Sequence, residues 1–223
     1  MKKIIQVLRL ATDILFPEKG SVIKLEKMSA REVEERISKA DLVKNHEKDF
    51  FALFRYHDPL AKQMVWEIKY RGNSKIADLA GYLIGKKLIE KLFQDTQMWN
   101  RSEVIIIPIP ISKKRLKQRG YSQTELLAKA VVKNLPENFS YQPDILIKTK
   151  DTPSQTSLGN RSQRLSNLSG AFSLKDSAAE ETIRGKNIVL IDDVITTGAT
   201  LEEVCGVLLD AGAKSVTAFA IAH

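Results

Sequence analysis

The stretch that decides the fold is Ile188-Val-Leu-Ile-Asp-Asp-Val-Ile-Thr-Thr-Gly-Ala-Thr200, preceded by Gly185-Lys-Asn187. Ile188 to Ile191 is an unbroken apolar run of the kind that forms a parallel strand buried on both faces. It ends on two carboxylates, Asp192 and Asp193. A Thr/Gly turn from Thr196 to Thr200 follows, then a helix with Leu201, Val204, Cys205 and Leu208 on its apolar side. Parallel sheets bind ligands at the carboxyl ends of their strands. A turn of backbone N–H groups that opens a helix cradles phosphate. Two acids beside such a turn suit sugar hydroxyls, or a divalent cation that offsets phosphate charge. The combination points to a sugar phosphate.

Composition sets wider bounds. The chain has 223 residues, 43% apolar and 28% charged, which fits one α/β domain with a smaller lobe. One cysteine, Cys205, excludes an intrachain disulfide framework and a Cys-rich zinc site. No apolar run reaches the length of a transmembrane span. The start, Met1 to Ala11, resembles a signal peptide only briefly, because Arg9, Asp13, Glu18 and Lys19 interrupt it. The expected location is therefore the cytoplasm, without membrane insertion. The net charge of +8 favours polyanionic partners: nucleic acid, anionic lipid or a pyrophosphorylated substrate.

Upstream, the spacing of Ile4, Val7, Leu8, Ala11 and Ile14 predicts an amphipathic helix over residues 3–15, stopped by Pro17 and Gly20. A short strand is expected over Ser21 to Leu25. Ser29-Ala-Arg-Glu32 is a capping box that opens a helix to about Ser38. A strand is expected over Asp49 to Tyr56, and a helix from Asp58-Pro59 to a glycine stop at Gly72. Lys69 and Arg71 near that stop either reach an anion or sit where a helix dipole favours cations. A long helix over residues 74–93 precedes the strand Val104 to Ile107.

That strand leads into Pro108-Ile-Pro-Ile-Ser-Lys-Lys-Arg-Leu-Lys-Gln-Arg-Gly-Tyr-Ser-Gln-Thr-Glu-Leu-Leu-Ala128. Lys113, Lys114, Arg115, Lys117 and Arg119 are expected in a loop at the strand's carboxyl end, with Ser122 and Glu125 capping the next helix. A short strand, Ile145 to Ile147, comes before the polar and basic segment 148–167. Ser173 to Glu181 reads as a linker or edge strand, and Val216 to Ile221 as a terminal strand.

The loop Ile188 to Thr200 resembles the phosphoribosyl pyrophosphate (PRPP) loop of type I phosphoribosyltransferases. Two further segments carry a closer resemblance, to the ComF family of competence-associated proteins. In the first, Pro108, Pro110, Arg119, Gly120, Gln123 and Leu127-Ala128 match, and Ser122 stands where asparagine is usual. In the second, Gln155, Leu158, Arg164, Asn167 and Gly170-Ala-Phe172 match. Relatives often carry a four-cysteine zinc module after a Phe-Pro pair; Phe16-Pro17 is present here and the cysteines are absent.

The resemblance implies an α/β fold with a mainly parallel sheet flanked by helices. A small N-terminal α+β lobe over residues 1–72 would precede a phosphoribosyltransferase-like domain over residues 73–223. Thr196, Thr197, Gly198, Ala199 and Thr200 would hold a ribose 5-phosphate, and Asp192 and Asp193 its hydroxyls, directly or beside Mg²⁺. Ser112, Lys113, Lys114 and Arg119 would face pyrophosphate, with Gln123 adjoining. Lys148, Lys150, Gln155 and Arg164 would belong to a lid over PRPP. The implied activity is that of a glycosyltransferase-class enzyme that moves ribose 5-phosphate to a nitrogen acceptor. The alternative is a non-catalytic accessory of DNA uptake that binds single-stranded DNA or the uptake machinery through basic loops. Along the chain, the basic residues lack the regular aromatic interleaving that base stacking uses. The resemblance also leaves room for a homodimer.

Overall fold

A computed structural model describes residues 24–40, 43–45, 48–94, 103–150 and 170–223. Six strands form the main sheet. In chain order they are β1 (Val43–Asn45), β2 (Lys48–Phe54), β3 (Val104–Pro108), β4 (Phe139–Tyr141), β7 (Asn187–Val194) and β8 (Ser215–Ala222). Their spatial order is β1-β2-β8-β7-β3-β4. Only the β1–β2 pair is antiparallel; β2–β8, β8–β7, β7–β3 and β3–β4 are parallel. Strands β5 (Leu146–Lys148) and β6 (Phe172–Leu174) form a separate antiparallel pair.

The continuous apolar runs exist because the central strands are covered on both sides. Val104, Ile106, Val189, Ile191, Phe219 and Ile221 enter one core. Their neighbours Ile105, Ile107, Ile188, Leu190, Ala218 and Ala220 enter the other, as the two-residue period of a strand requires. Helices α2 (Pro59–Trp66), α3 (Ser74–Gln94) and α5 (Gln123–Val132) pack into the first core, with α1 (Ala30–Arg36). Helices α6 (Ser177–Ile183) and α7 (Ala199–Asp210) pack into the second. A Cβ on Gly81 of α3 would lie 2.5 Å from the Ala130 carbonyl carbon of α5, so glycine is what lets these two helices touch.

Local chemistry sets the element ends. Ser29 and Glu32 form the expected capping box at α1. Asp58 caps α2 by accepting from the Leu60 N–H (2.9 Å). The chain then widens into a π turn, Glu67–Arg71, closed by Gly72 in the left-handed region (φ 60°). The basic segment expected as a loop is instead helix α4 (Lys113–Arg119). Ser112 caps its start, straight-chain residues fill it, and Gly120 (φ 78°) ends it, so every local term favours a helix. Of the linker or edge strand expected over Ser173 to Glu181, the start is strand, in β6, and the rest turns into α6, which Asp176 caps. Residues 24–27 are helical, against the strand expected over Ser21 to Leu25. The helix expected over residues 3–15 lies outside the described residues, as do Gln155 and Arg164.

The sheet includes strands from both sides of residue 72, because β2 pairs with β8 from Phe50↔Ala218 to Phe54↔Ala222. Among the described residues no helix is long and apolar enough to cross a membrane.

Candidate functional site

The carboxyl ends of β3 and β7 open onto a cleft of about 180 Å³. Its floor is Asp192, Asp193 and Val194 at the end of β7, and one corner is the turn from Thr196 to the start of α7. Gly198 occupies the N-cap position of α7 at φ 80°, and no side chain caps the helix. The first N–H groups of α7 therefore face the turn without an intrahelical acceptor, and the helix dipole adds positive potential there. Thr197 Oγ1 is buried and has no hydrogen-bond partner among the described residues. A buried hydroxyl with no partner beside an uncapped helix start is what a ligand oxygen would satisfy.

The acids are a pair with a third member, Lys69, whose partner the sequence did not identify. The Asp193 N–H donates to Asp192 Oδ1 (2.8 Å), and Lys69 Nζ stands 3.1 Å from Asp193 Oδ2. Asp193 is only 5% exposed. Burial, and then the neighbouring Asp193 charge, push Asp192 well above the usual carboxylate range. Burial would also raise Asp193, but the Lys69 ammonium holds it below its ordinary value. The Asp193 charge in turn raises Lys69. The shifts of the two acids thus run in opposite directions, and the Lys69 ammonium offsets the Asp193 charge. Lys69 reaches Asp193 from the π turn, whose buried Glu67 is paired with Arg71 (3.3 Å). Lys69 thus lies in the last turn before Gly72 and also reaches an anion, which is the carboxylate of Asp193.

The other predicted residues divide. Gln123, Lys148, Asp192, Asp193, Thr196, Gly198 and Thr200 line the cleft. Ala199 is buried in the first turn of α7. Ser112 is buried too, and its Oγ accepts from the Arg115 N–H (3.4 Å). Lys113 and Lys114 are exposed on α4 and do not line the cleft; Arg115, one turn position on, does. Arg119 Nη1 donates to Gln123 Oε1 (2.8 Å), and its guanidinium lies over Tyr70. Lys148 Nζ sits 5.0 Å from the Phe172 ring centre. Lys150 approaches Gly170 (Nζ 3.3 Å from where a Cβ would stand) and is not a lining residue. Tyr56 and Thr124 line the cleft without having been singled out. Thr124 was legible only as part of a helix start, where its Oγ1 donates to the Ile109 carbonyl (2.7 Å).

A model of the phosphoribosyl transferase domain family matches residues 73–223. The chain belongs to that family. Its similarities place it among the ComF-type, competence-associated members. The competence protein ComFC of Bacillus subtilis (strain 168) is 31% identical over 172 residues, 76% of this chain and 62% of that protein. The DNA utilization protein YhgH of Escherichia coli O157:H7 is 30% identical over 161 residues, 72% of this chain and 66% of that protein. Competence protein F of Haemophilus influenzae is 35% identical over 118 residues, covering 53% and 49%. The chain thus spans less than two thirds of the length of these relatives. Among solved structures, the allosteric regulatory enzyme of purine biosynthesis aligns with 69% of this chain and 29% of its own, at 17% identity and a TM-score of 0.38. The ComF-type resemblance read from the sequence holds, and so does the lack of a zinc-binding cysteine cluster, since the one cysteine is buried Cys205.

The family's fold raises the question of Mg²⁺, which takes oxygen ligands and is usually held by one or two carboxylates plus substrate phosphates. Here Asp193 is committed to Lys69, and Asp192 accepts from the backbone. Among the described residues no group of three or more acidic, histidine or cysteine side chains is placed to hold a metal. Asp192 and Asp193 would therefore hold an ion only together with a ligand's own oxygens, and Asp193 only by releasing Lys69.

Proposed function

We propose that this chain is an accessory protein of DNA uptake or utilisation that handles single-stranded DNA through its basic surface. In this reading it keeps the ribose-phosphate cleft of its fold as a binding site rather than a centre of phosphoribosyl transfer. The observation that carries it is the placement of the basic segment. Phosphoribosyl transfer needs cations aimed at the departing pyrophosphate. Arg115 lines the cleft, but Lys113, Lys114 and Lys117 of the same segment stand exposed on α4, where they suit the phosphates of an extended polyanion. The closure of Asp193 by Lys69 supports the same reading, because the second acid is already neutralised within the protein. Relatives named for competence and for DNA utilization agree with it.

A second reading, PRPP binding with turnover, is favoured by one specific feature: the buried, partnerless Thr197 hydroxyl inside an uncapped helix N-terminus. The two separate experimentally. A dT oligomer titrated at several salt concentrations should bind with a log–log slope of about −0.7 for each phosphate neutralised. PRPP with Mg²⁺, titrated by calorimetry, should bind without pyrophosphate release in the presence of nucleobases. Absence of oligomer binding sinks the accessory reading. Release of pyrophosphate that Asp192→Asn abolishes establishes the enzyme instead.

A further inference from the structure

Four side chains beside the cleft form a ladder that the linear sequence hides. The π turn brings Arg71 over the Trp66 ring, with its guanidinium carbon 4.9 Å from the ring centre. Trp66 and Tyr70 pack at 5.7 Å with a 48° tilt between their rings. From α4, 49 positions along the chain from Tyr70, the Arg119 guanidinium comes to 5.1 Å from the Tyr70 ring centre. The order in space is therefore Arg71, Trp66, Tyr70, Arg119: cation, ring, ring, cation.

We propose that this ladder is a base-stacking platform for single-stranded DNA, with the exposed lysines of α4 tracking the backbone beside it. The proposal rests on the single-stranded DNA reading above and assigns it a surface. Nucleic-acid bases stack on aromatic rings and on guanidinium planes without regard to sequence, because every base has a π face. Tyr70 is 55% exposed, the most of any large apolar or aromatic side chain among the described residues, although Arg119 covers one face of its ring. The planes are also held in place before any ligand arrives. Gln123 accepts from Arg119 (2.8 Å), and buried Glu67 pairs with Arg71 (3.3 Å), so neither guanidinium needs to be ordered on binding. On α4, Leu116 is 43% exposed among Lys113, Lys114 and Lys117, which sets an apolar contact beside three phosphate-seeking ammonium groups. The Arg119 end of the ladder adjoins the cleft, since Gln123, which accepts from Arg119, lines it.

The test uses the full chain in a Trp99→Phe background, so that Trp66 is its only tryptophan. The probes are a dT oligomer of about 12 nucleotides, within the span of a small single-strand site, and an abasic oligomer of the same length. The dT oligomer should quench Trp66 fluorescence and bind more tightly than the abasic one. Tyr70→Ala should weaken dT binding by about tenfold at an unchanged salt slope, and Tyr70→Phe, which keeps the ring, should restore it. Replacing Lys113, Lys114 and Lys117 by alanine should make the salt slope shallower by about 2 while dT keeps its advantage over the abasic chain. Equal affinity for dT and abasic oligomers, or dT binding that Tyr70→Ala leaves unchanged, overturns the stacking platform while the accessory reading stands. Failure of both oligomers to bind removes the accessory reading and the platform together.

Discussion

Lys69 decides the electrostatics of the site at the scale of single residues. It stands 29% exposed against an Asp193 that is almost wholly buried, so its removal leaves a carboxylate out of water without its counter-charge. Lys69→Met should cost about 2–3 kcal/mol, toward the lower end for a broken buried pair because solvent partly screens the lysine. The pH dependence follows from the direction of the Asp193 shift. Its pKa is held below the ordinary 3.8, so the stability it contributes is present above that value and is lost as pH falls through the folded-state value. Urea midpoints of Lys69→Met and wild type should therefore differ at pH 7 and converge at pH below about 3.8. Asp192 has the opposite sign. Its folded-state pKa is raised, so ionisation works against the fold increasingly as pH rises from 3.8 through the folded-state value. Asp192→Asn keeps an oxygen for the Asp193 N–H and carries no charge. It should raise the Tm by a few degrees at pH 7, an advantage that disappears below about pH 3.8, as thermal scans across pH would show.

At the scale of elements, two helical glycines predict opposite outcomes from one substitution. Alanine is better than glycine in a helix by about 1 kcal/mol. In α7, a Cβ on Gly206 meets nothing within 4 Å, so Gly206→Ala should stabilise by about 0.5–1 kcal/mol. In α3, a Cβ on Gly81 would lie 2.5–2.8 Å from the Ala130 backbone and methyl, where no flexible side chain can give way. Overpacking of that kind costs about 1–3 kcal/mol, so Gly81→Ala should be net destabilising by chemical denaturation. Sequence periodicity showed α3 and α5 as apolar-faced helices, and the capping residues Ser29, Asp58 and Ser122 marked three helix starts. It did not show which faces touch, because a helix's apolar stripe carries no record of its partner. The α4 segment was misread for a related reason. A dense charge run suggests a solvated loop, yet lysine and arginine are good helix formers once a serine cap and a glycine stop bracket them.

At the scale of the whole molecule, the sheet joins the two halves of the sequence. Strand β2 supplies Phe50 and Phe54 to the cores, and Phe51 stacks on Phe219 of β8 at 5.0 Å. The backbone ties continue past β8, where the His223 N–H donates to the Phe54 carbonyl (3.0 Å) and the Tyr56 N–H to the His223 carbonyl (2.7 Å). A fragment of residues 73–223, the stretch that the family model matches, would leave β8 as an uncovered apolar edge. Such a fragment should aggregate or lose cooperative unfolding, as sedimentation and circular dichroism would report, whereas the full chain should unfold in one transition.

Sequence alone determined the fold class and the strand–turn–helix around Asp192 and Asp193, because the signals for both are local. The run Ile188 to Ile191 reads as a strand buried on both faces, and Thr196 to Thr200 as a turn that opens a helix, from neighbouring residues alone. Tertiary structure decided what surrounds that turn. Lys69 lies 124 positions before Asp193, and Tyr70 lies 49 before Arg119, yet they meet at one rim. Contacts of that separation depend on strand order and on how a π turn aims its side chains, and neither leaves a periodic trace in the chain. The aromatic interleaving that the linear sequence lacks is therefore present in space.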